Sequence, residues 1–156
     1  MVIIGIDPGT TRLGYGVVNY NNQQLEFVAA GLVPIKAGVS EEERLSQHRF
    51  QLRQLLDKYR PDASAVEILF FAKNTKTAIK VAQARGVILE TLSSQGIAVH
   101  EFTPLQAKQA ITGYGRATKE QIQRMVQLML EMSDPPQPDD AADALALAIC
   151  CAHSLR

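Results

Sequence analysis

Hydrophobic residues in the first third of the chain fall in short runs separated by turn-forming residues. Val2–Ile6 is apolar and is followed by Asp7-Pro8-Gly9, which is typical of a buried strand that enters a turn. Two further strands are predicted over 13–20 and 25–35, joined by a hairpin turn at Asn21-Asn22-Gln23. Three strands before the first helix indicate an antiparallel meander at the start of the sheet.

The rest of the chain alternates between helical and extended patterns. Ser40 to Glu43 has capping-box spacing and opens an amphipathic helix that ends before Pro61. The remaining pattern predicts strands over 63–69 and 98–102 and helices over 75–95, from Thr103-Pro104, from Thr118, and from Asp139 or Asp140 to about His153. We therefore expect one α/β domain over residues 1–156, with a five-stranded mixed sheet flanked by helices.

The composition excludes several classes of protein. The 156 residues are 46% hydrophobic and 21% charged, a globular rather than a disordered composition. No apolar run approaches the ~18 residues of a membrane span, and the N-terminus lacks the pattern of a secretory signal. The two cysteines, Cys150 and Cys151, are adjacent and form neither a disulfide framework nor a CxxC metal site. We expect no membrane association and a cytoplasmic location.

The formal net charge of zero hides an uneven distribution. Between Lys73 and Arg124 there are eight basic and three acidic residues, which gives this segment a net charge of +5. Glu131 to Asp143, by contrast, carries five acids and no base. A basic middle favours a polyanionic partner such as nucleic acid, although interleaved charges on solvated helix faces explain it equally well.

Four acids lie beside apolar segments where an ordinary fold would prefer hydrophobic residues. Asp7 ends the first strand, and Glu67 lies within Ala65-Val66-Glu67-Ile68-Leu69. Asp140 and Asp143 precede a stretch that is apolar on all sides, and their spacing of three places both on one helix face. Because buried, unpaired carboxylates are costly, the four together imply a compensating positive charge.

Three of the acids also have an ordinary structural interpretation, whereas Asp143 lies within the first helical turn beside a residue that would already cap the helix. Asp7 can be a turn former, Glu67 can pair with a lysine or lie at a sheet edge, and Asp140 can cap its helix. As a group they suit Mg²⁺ or Mn²⁺, which prefer oxygen ligands. Two such ions ~3.5–4 Å apart can activate water and stabilise the leaving oxygen of a phosphoryl displacement. Acids on two neighbouring strands and a helical pair form the arrangement of the RNase H-like nuclease fold.

Nearly the whole chain resembles the RuvC family of Holliday junction resolvases. The resemblance is carried by four motifs in order: Gly5-Ile6-Asp7-Pro8-Gly9 with Gly14-Tyr15-Gly16, Glu67 with Phe70 and Ala72-Lys73-Asn74, Gln83-Ala84-Arg85-Gly86, and Asp140-Ala141-Ala142-Asp143-Ala144-Leu145-Ala146. It implies a homodimeric, Mg²⁺-dependent endonuclease that cuts two opposing strands of a four-way DNA junction and works with the RuvA–RuvB branch-migration complex.

The resemblance also implies roles for individual residues. Asp7, Glu67, Asp140 and Asp143 match the catalytic acids that bind metal, with two ions expected per subunit and Mn²⁺ able to substitute. The DNA-binding residues implied are Phe70, Lys73, Lys108 and Lys119. Phe70 matches an aromatic residue that stacks on an unpaired base, and the lysines at 108 and 119 match residues close to the scissile phosphate.

Some assignments stay open at this point. Phe71 follows Phe70 directly, and alternation along a strand allows only one of them to face DNA. We prefer Asp140 for the metal and Asp139 as a helix cap. A face with Ile79, Ala82, Gly86 and Leu89 favours a dimer contact, and packing on the sheet is an equally good interpretation.

Three other functions compete with junction cleavage. An RNase H-like nuclease acting on RNA or RNA–DNA hybrids would have the same fold and metal site. Gly5 to Thr11 also resembles the phosphate loop of actin-like ATPases and sugar kinases, but those need a duplicated domain that this length does not supply. A non-catalytic junction-binding module would gain nothing from four acids that face phosphates.

Overall fold

The computed structural model describes residues 1–68 and 75–155. Its strands are β1 (Val2–Pro8), β2 (Arg12–Asn21), β3 (Gln24–Pro34), β4 (Ala63–Glu67) and β5 (Ala98–Phe102). Its helices are α1 (Glu41–Tyr59), α2 (Thr75–Ser94), α3 (Pro104–Thr112), α4 (Lys119–Met129) and α5 (Asp139–Ser154). The predicted order of elements is confirmed.

The five strands form one mixed sheet in the order β3-β2-β1-β4-β5. The meander β1-β2-β3 is antiparallel, whereas β4 runs parallel to β1 and β5 runs parallel to β4. β4 ends at Glu67, two residues before the predicted end, although the backbone N–H of Ile68 still donates to the carbonyl of Phe102 at 2.8 Å. The predicted mixed sheet is therefore confirmed.

Alternation along the strands divides the core into two clusters, one on each face of the sheet. Ile4, Ile6 and Val66 pack with the leucines of α1 and with Ile88 and Leu92 of α2. Ile3 and Ala65 belong to the other cluster, which α3, α4 and α5 cover. Asp7 continues the alternation of Ile3 and Gly5, and Glu67 continues that of Ala63 and Ala65. Both acids are therefore on the face that α5 covers.

The predicted helix caps agree with the structure at three places and disagree at one. Ser40, Thr103 and Thr118 each accept a hydrogen bond from a backbone N–H of the first turn, and the last two form complete capping boxes. The prediction that Asp139 caps α5 is wrong. Pro138 holds the capping position without a side-chain hydrogen bond, and Asp139 is the first helical residue. In the part of the chain that the structure describes, no helix is long and apolar enough to cross a membrane.

Candidate active site

Two of the four predicted acids come from neighbouring parallel strands. Ile6 of β1 pairs in register with Val66 of β4, so the next residues, Asp7 and Glu67, lie side by side at the C-terminal ends of the two strands. Parallel strands place equivalent residues at the same edge of the sheet. The backbone alone therefore brings these two carboxylates together, as the sequence predicts.

The other two acids approach the strands because α5 lies unusually close to the sheet. A Cβ atom added at Gly14 would lie 2.6 Å from the carbonyl oxygen of Asp140, and one at Gly16 would lie 2.5 Å from the backbone nitrogen of Leu145. Neither separation is compatible with a real side chain. Gly14 is also the register partner of Asp7. The glycines of β2 thus allow the start of α5 to reach the end of β1.

Electrostatics show that the acids share one environment. Burial, and then the carboxylates of Glu67, Asp143 and Asp140 in that order of importance, together raise the pKa of Asp7 to about 7. Burial and then Asp143 raise the pKa of Glu67. Burial also raises the pKa of Asp143, with Lys119 opposing. The site thus holds more negative charge than its own cations compensate, which is typical of a cation site.

Both predicted phosphate-binding lysines lie at the same site. A cleft of about 170 Å³ has Glu67, Asp143, Lys108 and Lys119 among its lining residues. Lys108 donates from Nζ to the carbonyl of Ala117 at 3.4 Å. Lys119 is exposed and donates from Nζ to Oδ2 of Asp139 at 3.0 Å. The structure therefore brings two of the predicted DNA-binding residues to the edge of the acidic cluster.

Asp139 has a different role from the one predicted. Its two carboxylate oxygens accept hydrogen bonds from Lys119 (3.0 Å) and from Nε2 of Gln123 (2.9 Å), so it ties the start of α5 to α4. The hydrogen bond to Asp139 is also the main reason why the pKa of Lys119 is raised. The carboxylate of Asp139 is thus engaged by α4, and the choice of Asp140 as the acid that binds metal stays a prediction.

Sequence reasoning missed Arg12 and a pair of buried side chains on α1. Arg12 follows the Asp7 turn, and its Nε lies 2.8 Å from Oδ2 of Asp140. On the other face of the sheet, Nη1 of Arg44 donates to the carbonyl of Thr10 at 3.3 Å, and Nε2 of His48 lies 2.9 Å from the carbonyl oxygen of Gly9. His48 has no solvent exposure. These contacts hold the turn that directly follows Asp7.

Phe70 and Lys73, the remaining predicted DNA-binding residues, lie outside the described residues, as does Phe71. Their assignments stay predictions.

The donor chemistry of the cluster fits a hard divalent cation. Asp7, Glu67, Asp140 and Asp143 offer only carboxylate oxygens, the ligands that Mg²⁺ and Mn²⁺ prefer. Within residues 1–68 and 75–155, no three His, Cys, Asp or Glu side chains form a group that could hold a metal ion as they stand. Asp140, for example, is paired with Arg12. Cation binding would therefore require side chains to turn inward.

A mixed five-stranded sheet with acids at the ends of β1 and β4 and at the start of α5 defines an RNase H-like nuclease. The family model "Crossover junction endodeoxyribonuclease RuvC" matches residues 3–151. The chain is 50% identical to the RuvC of Heliobacterium modesticaldum over 155 residues, 99% of this chain and 96% of that protein. It is 51% identical to the RuvC of Chloroflexus aurantiacus over 154 residues, 99% of this chain and 94% of that protein.

A solved structure agrees with these relatives. Thermus thermophilus RuvC in complex with Holliday junction substrate superposes with a TM-score of 0.92 at 36% identity, covering 100% of this chain and 95% of that chain. The chain belongs to the RuvC family of crossover junction endodeoxyribonucleases.

Proposed function

We propose that this protein resolves four-way DNA junctions by metal-dependent hydrolysis of one phosphodiester bond in each of two opposing strands, in DNA recombination and repair. The observation that carries the proposal is the half-buried cluster of Asp7, Glu67, Asp140 and Asp143, in which burial and mutual repulsion raise the pKa of Asp7 to about 7. Family membership and the similarity to a RuvC solved with a Holliday junction support the same activity.

The four acids are the residues that would hold Mg²⁺, with two ions per subunit and Mn²⁺ as a substitute. When bound, divalent cations of this kind make a water molecule a better nucleophile and neutralise charge on the phosphate. The protein's own contribution is to place the carboxylates. β1 and β4 present Asp7 and Glu67 at one edge of the sheet, and α5 brings Asp140 and Asp143 across the glycines of β2.

Lys108 and Lys119 would bind the phosphate that is cut. Both line the same cleft as Glu67 and Asp143, so a phosphate next to the acids is within reach of an ammonium group. Lys119 would exchange its exposed ion pair with Asp139 for a phosphate oxygen. Contacts of this kind position the backbone without reading bases, which suits an enzyme that selects shape.

Selection of the junction centre is assigned to the segment after β4. Phe70 would stack on an unpaired base, with Phe71 as the alternative, and Lys73 would contact DNA nearby. A phenylalanine wedge acts where the junction most easily unstacks. Phe70→Ala is expected to slow cleavage more than it weakens binding, and an unchanged rate would move the role to Phe71.

A homodimer would place two such sites on two strands of one junction. Helix α2 supports this assembly, because its two faces are different. Ala84, Ile88 and Leu92 are buried toward the sheet, whereas Ile79 is 59% exposed and Gly86 has open space where a Cβ would lie. Of the predicted stripe, Ile79 and Gly86 thus face away from the core, whereas Leu89 packs against it. RuvA–RuvB is the proposed partner complex, and the cytoplasm is the proposed location.

Cleavage of a panel of labelled substrates tests the proposal. A synthetic four-way junction, a linear duplex and an RNA–DNA hybrid of the same sequence are incubated with Mg²⁺ and either wild-type protein or Asp7→Asn. We expect paired symmetric nicks in the junction alone, absent with the variant. Equal cutting of duplex or hybrid would contradict junction selectivity and favour the alternative, a nuclease for RNA or hybrids.

A further inference from the structure

Arg85 of α2 reaches across to the catalytic end of β4. Its Nε donates a hydrogen bond of 2.9 Å to the backbone carbonyl of Glu67, and its Nη2 forms an ion pair with Oε2 of Glu101 on β5. The Arg85 side chain is only 17% exposed, and burial lowers the pKa of its guanidinium. As far as the described residues define the cleft, Arg85 stays outside its lining.

Arg85 contacts the peptide group between Glu67 and Ile68, whose hydrogen bonds the sheet satisfies only on one side. The register of β4 with β1 ends at the pair Ile6–Val66, one residue before Glu67. On the other side, the N–H of Ile68 donates to the carbonyl of Phe102 at 2.8 Å. The peptide between Glu67 and Ile68 therefore has its N–H fixed by β5 and its carbonyl fixed by Arg85.

An isolated ion pair would not explain this arrangement. Glu101 is 43% exposed, and pairs with a partner of such exposure contribute little to stability. The planar guanidinium instead uses two of its donors in different directions, one toward a catalytic residue and one toward a carboxylate that orients it. Orientation of a ligand residue by a neighbouring hydrogen bond is a general feature of metal sites.

We propose that Arg85 is a positioning residue for cleavage. It fixes the peptide between Glu67 and Ile68, and thereby the direction in which the Glu67 carboxylate enters the cation site, while Glu101 holds the guanidinium in place. This inference rests on the proposed function, because it gives Glu67 the role of a cation ligand.

Arg85→Lys is the main test. A lysine keeps the positive charge but lacks the planar guanidinium that contacts the Glu67 carbonyl and the Glu101 carboxylate at the same time. We expect the single-turnover rate on the junction, and the affinity for Mn²⁺ measured by electron paramagnetic resonance without DNA, each to fall on the order of 10- to 100-fold. Junction affinity in the absence of metal should stay within about threefold of wild type, because no phosphate contact is lost.

Three further variants sharpen the test. Arg85→Met should resemble Arg85→Lys, and if it fails to fold the lysine variant still decides the question. Glu101→Gln keeps an oxygen that accepts from the guanidinium, so we expect a smaller loss in both measurements. Arg53→Lys, an exposed arginine on α1, is the matched control and should behave as wild type.

Two results would overturn the proposal. One is an unchanged Mn²⁺ affinity and cleavage rate in Arg85→Lys. The other is a loss of junction affinity and thermal stability with unchanged Mn²⁺ affinity, which would indicate a general structural role. Asp7→Asn, measured in parallel, separates this inference from the proposed function. If Asp7→Asn still cuts the junction, the assignment of the metal site fails. If Asp7→Asn is inactive but Arg85→Lys behaves as wild type, only the role proposed for Arg85 is refuted.

Discussion

The two faces of the sheet are covered by helices in different ways. Helix α5 touches β1 and β2 through glycines, and its own buried residues include many alanines, so backbone meets backbone. Helices α1 and α2 pack through large aliphatic side chains such as Leu52, Ile88 and Leu92. The close approach of α5 has a consequence for the site. The short carboxylate side chains of α5 can reach the ends of β1 and β4 only because the helix itself lies close to the sheet.

The faces also differ in how they treat buried charge. On the α1 face, Arg44 and His48 are buried, and their nitrogens contact the carbonyls of Thr10 and Gly9. On the α5 face, Asp7 is half-buried beside three other carboxylates, and its pKa rises to about 7. One face thus satisfies its buried polar groups within the protein, whereas the other leaves negative charge for a cation to compensate.

The largest effect is expected from removing that charge. Asp7→Asn, Glu67→Gln, Asp140→Asn and Asp143→Asn should each reduce cleavage by several orders of magnitude, because each removes an oxygen ligand from the cation site. Junction binding should remain close to wild type, since these changes remove no phosphate contact. Gel-shift and cleavage assays on the same junction measure both, and loss of binding in all four variants would mean that the acids hold the fold instead.

The glycines test the difference between the faces directly. Gly16→Ala places a Cβ 2.5 Å from α5, and we expect it to destabilise the protein by about 1–3 kcal/mol or more. Gly86→Ala on α2 meets no atom within 4 Å and should stabilise its helix by roughly 1 kcal/mol. Urea unfolding of both variants measures these changes. Equal changes in the free energy of unfolding would show that α5 does not need to lie closer to the sheet than α2 does.

A pH dependence follows from the raised pKa of Asp7. Because the folded-state pKa of about 7 lies above the ordinary aspartate value of 3.8, folding favours the protonated form. This stabilisation is complete below the unfolded pKa and is lost as the pH rises through about 7. Without metal, the free energy of unfolding should therefore decrease by up to a few kcal/mol from pH 4 to pH 8, and by less in Asp7→Asn. If the difference in the free energy of unfolding between wild type and Asp7→Asn does not change with pH, the burial of Asp7 is contradicted.

The smallest effect on stability is expected at Lys119. Its ion pair with Asp139 is exposed, so Lys119→Gln should change the free energy of unfolding by roughly 0–1 kcal/mol. Removing the Lys119 charge should reduce the magnitude of the slope of log affinity against log salt concentration by about 1, because one phosphate contact disappears. Junction affinity at several salt concentrations measures the slope. An unchanged slope would show that Lys119 does not contact DNA.

Patterns among neighbouring residues predicted most of the fold. They also predicted which acids form the candidate site. Capping boxes at Thr103 and Thr118 and the turn after Asp7 depend on neighbouring residues, so the sequence displays them. The role of Asp139 was predicted wrongly, because its partners Lys119 and Gln123 lie on another helix.

Contacts between distant elements were the part that the sequence did not reveal. Arg12 with Asp140 and Arg85 with Glu67 join residues far apart in the chain, and no local pattern marks them. For Arg44 and His48 a signal exists, since both lie at helical spacing on the apolar stripe that contains Leu52. Polar residues at such positions need buried partners, which points to a tertiary contact although not to its identity.

Binding of Mn²⁺ to the protein on a non-cleavable four-way junction tests the central claim most directly. The titration compares wild type with Asp7→Asn and follows bound metal rather than product. From the half-buried carboxylate cluster we predict that wild type binds Mn²⁺ and that the variant binds it on the order of 10- to 100-fold more weakly. Equal Mn²⁺ affinity in the two proteins would contradict the assignment of these carboxylates to the cation site.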